Sequence, residues 1–237
     1  DTLIENYVTI LSQMNVSAAD GLSQGVESSN FPNMDSEIWW GGNAHNEQHW
    51  ERTEDASSVG NSSLRIKSQN YNYQRNSHEF STPELNISEF AIESSQLFIS
   101  FDYAYARRLP YTAAKEDDDG FVVDTYPIHY DELIISYKQC DDTLWTERPR
   151  LSTRPGTEGL YLSLQESLIT TDKIYFNSFK PQPGLVEDGG EWKNYKMSLS
   201  IQQDDIIDDP SIIVRFEFNG TGEDQYDFHL VDMGVMG

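Results

Sequence analysis

The sequence predicts an all-β fold, a β-sandwich of two antiparallel sheets, and three observations predict it. Short runs rich in β-branched and aromatic residues recur along the 237 residues. Gly, Pro, Asn or Asp bounds these runs, and stretches of helical period are scarce. A chain of this length buries one substantial core, so one main domain is expected.

Taken in order, the runs at 64–67, 96–105, 132–137, 195–199, 212–218 and 228–235 read as strands. The stretch 159–168 fits either a helix or a bent strand. Long polar connections at 35–61, 107–130 and 173–191 separate these runs; loops of such length in a compact domain are usually functional or ordered by metal. One of them carries Glu116, Asp117, Asp118, Asp119 and Gly120. That cluster reads as a solvated acidic loop or as an oxygen-rich calcium site.

Forty Asp and Glu against sixteen Lys and Arg give a formal charge of -24. Such a surface repels nucleic acid and draws cations. The hydrophobic content of 37% and aromatic content of 12% belong to a folded protein rather than a disordered acidic tail. Cys140 stands alone, so no intrachain disulfide forms, and extracellular stability would rest on packing or metal. No apolar run approaches the ~20 residues that span a bilayer. The first residues lack a basic region followed by an apolar one, so the chain is expected to be a mature or excised piece. Sequons at Asn15, Asn61, Asn86 and Asn219 are as expected by chance in an Asn/Ser-rich chain.

Catalytic patterns are missing from the sequence. There is no His-Glu-x-x-His, and in the nearest stretch, His45 to His49, Glu47 is displaced from the position that would activate water. His78, His129 and His229 lack a nucleophile context, and no Gly-x-Ser-x-Gly elbow occurs. The carboxylates are too many for any pair to be singled out. Trp39, Trp40, Trp50 and Trp145, with Tyr71, Tyr73 and Tyr126 in loop-like sequence, have flat faces that match the apolar face of a pyranose. Trp39, Trp40 and Tyr126 are the candidate ligand-binding residues.

A set of weak motifs in fixed order resembles a known family. These are Gly25-Val26-Glu27, Phe31-Pro32, Trp39, Trp50-Glu51-Arg52, Gly60 to Leu64, Thr82 to Ser88, and Leu97 to Ala106. They continue with Asp131-Glu132-Leu133, Ile135-Ser136, Cys140-Asp141 ahead of Trp145, Glu191-Trp192-Lys193, Val214 to Glu217 and Leu230 to Val235. Together they resemble the MAM-like or choice-of-anchor J jelly rolls of secreted Bacteroidetes proteins, over about residues 21–237. Asp142 replaces the usual Gly, and the segment around Lys138 and Gln139 is altered.

The resemblance implies a jelly-roll sandwich with Trp50 and Trp145 in its core. It also implies a structural Ca2+ held by Glu27 and Asp232 with the turn at Asn61 and Ser63; the plain alternative is that Glu27 and Asp232 are solvent-facing strand residues. Asp102 is a weaker metal candidate, better read as a hydrogen-bond acceptor. Residues 1–10 resemble the last strand of a PKD-type domain, so 1–20 are expected to end such a domain or form a linker. That tandem resembles the C-terminal region of pappalysin-like metallopeptidases exported by type IX secretion. The expectation is a secreted or cell-surface, non-catalytic accessory module that binds a glycan or protein surface and adjoins neighbouring domains of a larger chain. The alternative is a structural or substrate-positioning domain of such a metallopeptidase.

Overall fold

The computed structural model describes residues 14–16, 22–24, 40–41, 50–66, 76–91, 97–106, 112–116, 122–127, 131–147, 150–152, 166–171, 173, 179–220 and 228–236. Its framework strands are β1 (Ser63–Ile66), β2 (Asn76–Ser81), β3 (Phe98–Ala104), β4 (Glu132–Gln139), β5 (Lys193–Ser198), β6 (Ser211–Gly220) and β7 (Phe228–Met236). Successive strands alternate between two sheets. One sheet runs β5-β3-β7-β1 and ends on Glu51–Thr53; the other has β2, β6 and β4 side by side and ends on Leu151–Ser152 and Glu166–Ser167. The framework pairings are antiparallel. Crossing between sheets at each step, so that among these seven framework strands sequence neighbours do not pair, is the wrap of a jelly roll, and the all-β sandwich expected from sequence is what the chain forms.

Alternation along the strands explains how the sheets face each other. In β4, Leu133, Ile135 and Tyr137 are buried; in β6, Val214, Phe216 and Phe218 are; in β3, Ile99, Phe101 and Tyr103 are. Side chains two apart share a face, so these rows point inward together. Phe101 meets Phe216 edge-on across the core at 5.4 Å, and meets Tyr195 on the neighbouring strand at 5.3 Å. Trp50 and Trp192 are buried in the same core. Met14–Asn15 runs parallel to Leu85–Asn86, and Val16 is buried in the core too.

The outward residues of β3 are also covered. Ser58 donates to Asp102 Oδ2 at 2.8 Å and Asn194 Nδ2 donates to Oδ1 at 2.8 Å. Asp102 is thus the hydrogen-bond acceptor the sequence suggested, and it ties residue 58 of the loop before β1 to the sheet.

Beside it, Arg65 reaches Glu51 at 2.7 Å and Asp55 at 2.8 Å, and Lys180 closes on Asp55 at 2.9 Å. The hydrogen bond from Lys180, then that from Arg65, pulls the Asp55 carboxyl down from 3.8 to about 2.

Two segments differ from the sequence reading, and a third was left open by it. Connection 107–130 contains a hairpin, Thr112–Glu116 with Val122–Pro127, paired antiparallel. Its acidic and Pro residues disguise strands that the partner strand nonetheless recruits. A helix forms at Gln203–Asp208, where Gln202 N–H donates to the Asp205 carboxylate at 3.3 Å and Ile206 is buried. Six residues are too few to show a period. In 159–168, read as a helix or a bent strand, the described residues are the two-residue strand Glu166–Ser167 and buried Leu168.

Two outcomes follow from this packing. Phe216→Ala is expected to cost about 3 to 5 kcal/mol in urea unfolding, because the cavity opens at the contact between sheets; a cost near that of Glu217→Ala would mean the rings do not interlock. Asp55, with a folded pKa below its unfolded one, stabilises the fold above pH 3.8, and that contribution is lost as pH falls towards about 2. Asp55→Asn should therefore lower Tm at neutral pH, modestly since the pair with Lys180 is solvent-screened, and the difference should vanish by the acid end of that window. A difference that persists there would remove the Asp55 charge as its cause.

Candidate functional site

On the outer face of the second sheet the register assembles a partly covered row, in which Ser136 and Ile134 are buried and Arg215 and Glu217 half-buried. Ser136 on β4 stands opposite Arg215 on β6, which stands opposite Ser81 on β2. The row continues to Glu147 beyond β4 and to Trp40 beyond β2, through Thr146–Glu147 and Trp40–Gly41. Next to it run Ile134, Glu217 and Glu79. Since Phe216 and Phe218 fill the core, Arg215 and Glu217 are forced outward by the pleat.

Arg215 is the hub of this face. Its guanidinium lies 3.6 Å from Glu79, 3.8 Å from Glu217 and 3.4 Å from Ser136 Oγ. It also lies 4.3 Å from the centre of the Trp145 ring, and Lys138 Nζ lies 5.5 Å from that centre. The ion pairs are long and partly exposed, so they orient more than they stabilise. The cation–π contact adds about 0.5 to 2 kcal/mol and fixes the indole. Arg215 Nε is buried without a hydrogen-bond partner among the described residues.

Trp145 is half-buried on this outer face, not in the core where the resemblance put it. The register gives the reason. Thr146 pairs with Tyr137 and Glu147 with Ser136, so Trp145 falls level with Lys138, on the outward side of β4. The turn that delivers it is closed by Asp142 N–H donating to Gln139 O at 3.1 Å, and Lys138 Nζ donates to Asp142 O at 3.1 Å. Leu144, 80% exposed, stands next to it. Sequence reasoning missed Arg215, although its place between Val214 and Phe216 marks it as outward.

The other candidates are scattered. Trp40 sits at the far end of the Arg215 row, and Tyr126 lies opposite Ala113 in the hairpin; Trp39 is outside the described residues, as are His45 to His49 and 117–120. Of the expected calcium ligands, Asn61 is exposed and Ser63, which opens β1, is buried. Asp232 lies where β7 changes partner: Leu230 pairs with Leu64 of β1, whereas Met233 pairs with Gln24. On the other side Val231 pairs with Asp102 and Gly234 with Ser100, so Asp232 and Met233 together oppose Phe101, a β-bulge. Glu27 lies outside the described residues. Among the described residues no three His, Cys, Asp or Glu group as metal ligands.

Cys140 is half-buried, and burial, then Glu84 and Asp209, pushes its thiol up to about 11. A thiol so protonated is a poor nucleophile at neutral pH. No described helix is long and apolar enough to cross a membrane.

No protein-family model matches the chain, and no curated protein does. The solved structures it is similar to include carbohydrate-binding modules and an adhesin domain. The CBM22-1 xylan-binding domain from Paenibacillus barcinonensis Xyn10C is 11% identical, covers 91% of this chain and 92% of its own, and has a TM-score of 0.41. A cleaved adhesin domain of Lys-gingipain from Porphyromonas gingivalis is 12% identical over 91% of this chain and 98% of its own, with a TM-score of 0.44. CBM27-1 of Caldicellulosiruptor saccharolyticus, solved with mannohexaose, is 10% identical over 83% and 89%, with a TM-score of 0.40. Likenesses this distant bear no functional argument, and the site is read from this chain's own side chains.

Proposed function

We propose that this chain is a non-catalytic extracellular accessory module that binds a glycan chain along the outer face of the sheet containing β2, β6 and β4. The observation that carries the reading is Trp145, half-buried and held against Arg215 on the outer face of this sheet, with Glu79 and Glu217 beside it. A fixed indole offers an apolar plane to the C–H face of a sugar ring, and the flanking carboxylates and guanidinium accept from and donate to its hydroxyls. The row from Trp40 to Glu147 crosses five strands, which at about 4.8 Å per strand is roughly 19 Å. That length suits an oligosaccharide rather than a single sugar.

Calcium belongs to the same reading as a structural ion. Glu27 and Asp232, with carbonyl oxygens at Asn61 and Ser63, would supply the hard donors it takes. Support comes from Asp232, whose bulge lies between the start of β1 at Ser63 and the strand Leu22–Gln24. An ion there would join both chain ends and add its binding energy to folding. On this reading the module belongs to a longer secreted chain, as the PKD-like opening residues imply.

Affinity electrophoresis in gels containing xylan, mannan or mixed-linkage β-glucan tests the site. At least one polysaccharide should retard the protein, and Trp145→Ala should weaken that binding by up to about tenfold, since stacking is worth about 0.5 to 1.5 kcal/mol and 1.4 kcal/mol is tenfold. Equal retardation of the variant would refute the platform, and silence on all three would refute the glycan chain as ligand. Separately, EDTA should lower Tm and added Ca2+ restore it; an unchanged Tm eliminates the ion.

A further inference from the structure

A cavity of about 410 Å³ lies apart from the Trp145 platform. It opens at the lateral edge of the sandwich, where β5, the last strand of one sheet, faces Glu166–Ser167, the last strand of the other. Tyr103, Ser167, Val186, Glu187, Lys193 and Asn194 line it. Its volume falls within the range of about 300 to 1,000 Å³ common to small-molecule sites.

The walls are held in place before any ligand arrives. Tyr103 Oη donates to Ser167 O at 3.0 Å and so bridges the two sheets. Lys193 Nζ donates to Ile169 O at 2.9 Å, and Asn194 Nδ2 donates to Asp102 Oδ1 at 2.8 Å. Val186 and Glu187 come from a turn that doubles back: Val186 N–H donates to Trp192 O at 2.7 Å and Gly190 N–H to Leu185 O at 2.9 Å. A Cβ on Gly190 would lie 1.9 Å from Gly184 O, so only glycine permits the close approach that fixes this wall.

Among the described residues, four of the wall groups keep unused hydrogen-bonding capacity. Lys193 retains two donor hydrogens and Ser167 a hydroxyl, while Asn194 retains its amide oxygen and Glu187 an exposed carboxylate. Val186, 40% exposed, supplies an apolar contact. Donors and acceptors from opposite walls suit vicinal hydroxyls, each of which both donates and accepts. Lys193 and Glu187 cancel in charge, so neither an anion nor a cation gains from the cavity as a whole.

We propose that this cavity is a second carbohydrate site, taking one neutral sugar residue or chain end rather than a stretch of polymer. It rests on residues separate from the outer-face platform and stands if that reading fails.

Titration of 15N-labelled protein with the methyl glycosides of glucose, mannose, galactose and xylose provides the test. At least one, at millimolar concentration, should shift the amides of Ser167, Val186, Glu187, Lys193 and Asn194 together. Glu187→Ala should weaken that response about tenfold, and Val186→Trp, which fills the cavity from an exposed position, should abolish it. Trp145→Ala should leave it unchanged, which separates this site from the platform. Spectra that keep their dispersion establish that each variant is folded. No shift at these amides with any of the four glycosides, or shifts that persist in both cavity variants, would overturn the proposal.

Discussion

Phe101 against Phe216 is the contact on which the remaining architecture depends. Once Phe216 points into the core, the pleat leaves Arg215 and Glu217 no place but the outer face, and Arg215 then gathers Glu79, Ser136 and Trp145 around itself. On the other sheet, Phe101 pointing inward carries Tyr103 inward too and sends Asp102 outward. Tyr103 then bridges to Ser167 at the sandwich edge, and Asp102 holds Asn194 and Ser58. The platform and the cavity are therefore both consequences of one interlocked pair, at opposite ends of the alternation it sets.

What could be read from the chain divides along the same physical line. The six runs identified as strands are local features, since a short apolar or aromatic run bounded by turn residues carries its own signal. Asp102 was legible as an acceptor for the same reason, a polar residue inside an apolar strand. Trp145 was not. Its face is decided by a register with β4 across a turn, and nothing in residues 140–147 alone states which side of the sheet the indole will take. The cavity was equally hidden, because Ser167, Val186 and Lys193 come from three segments that meet only after both sheets have closed. The hairpin holding Tyr126 and the helix at Gln203–Asp208 lie between these cases: each is short, and each is stabilised by a partner that local pattern does not reveal.

Charge explains why the cations present matter more than their number implies. In a chain of net charge -24, Arg65 and Lys180 are engaged in a cluster with Glu51 and Asp55, and Lys196 lies 4.3 Å from the centre of the Phe98 ring. Arg215 and Lys138 lie against Trp145, and Lys193 is tied to a backbone carbonyl at the cavity. These cations are fixed against aromatic rings, carboxylates or main chain and are not spread as a basic patch. A phosphate-rich partner would meet the surplus of carboxylates and be repelled.

The same distribution shapes what the two surfaces can recognise. A Lys or Arg that is already paired offers its leftover donors in fixed directions, with its charge largely balanced by Glu79 and Glu217 on the sheet face and offset by Glu187 at the edge. Directional donors and acceptors without net attraction select for hydroxyl arrangement, not for charge, because a wrongly placed hydroxyl leaves a desolvated polar group unpaired. The two sites would differ in the shape of what they accept: a row five strands wide takes a chain by stacking on its half-buried indole, whereas a walled cavity takes one ring or one end. If both engage one polysaccharide, the second contact becomes intramolecular and its effective concentration rises. The module's avidity for a polymer would then exceed what either surface shows toward a short fragment.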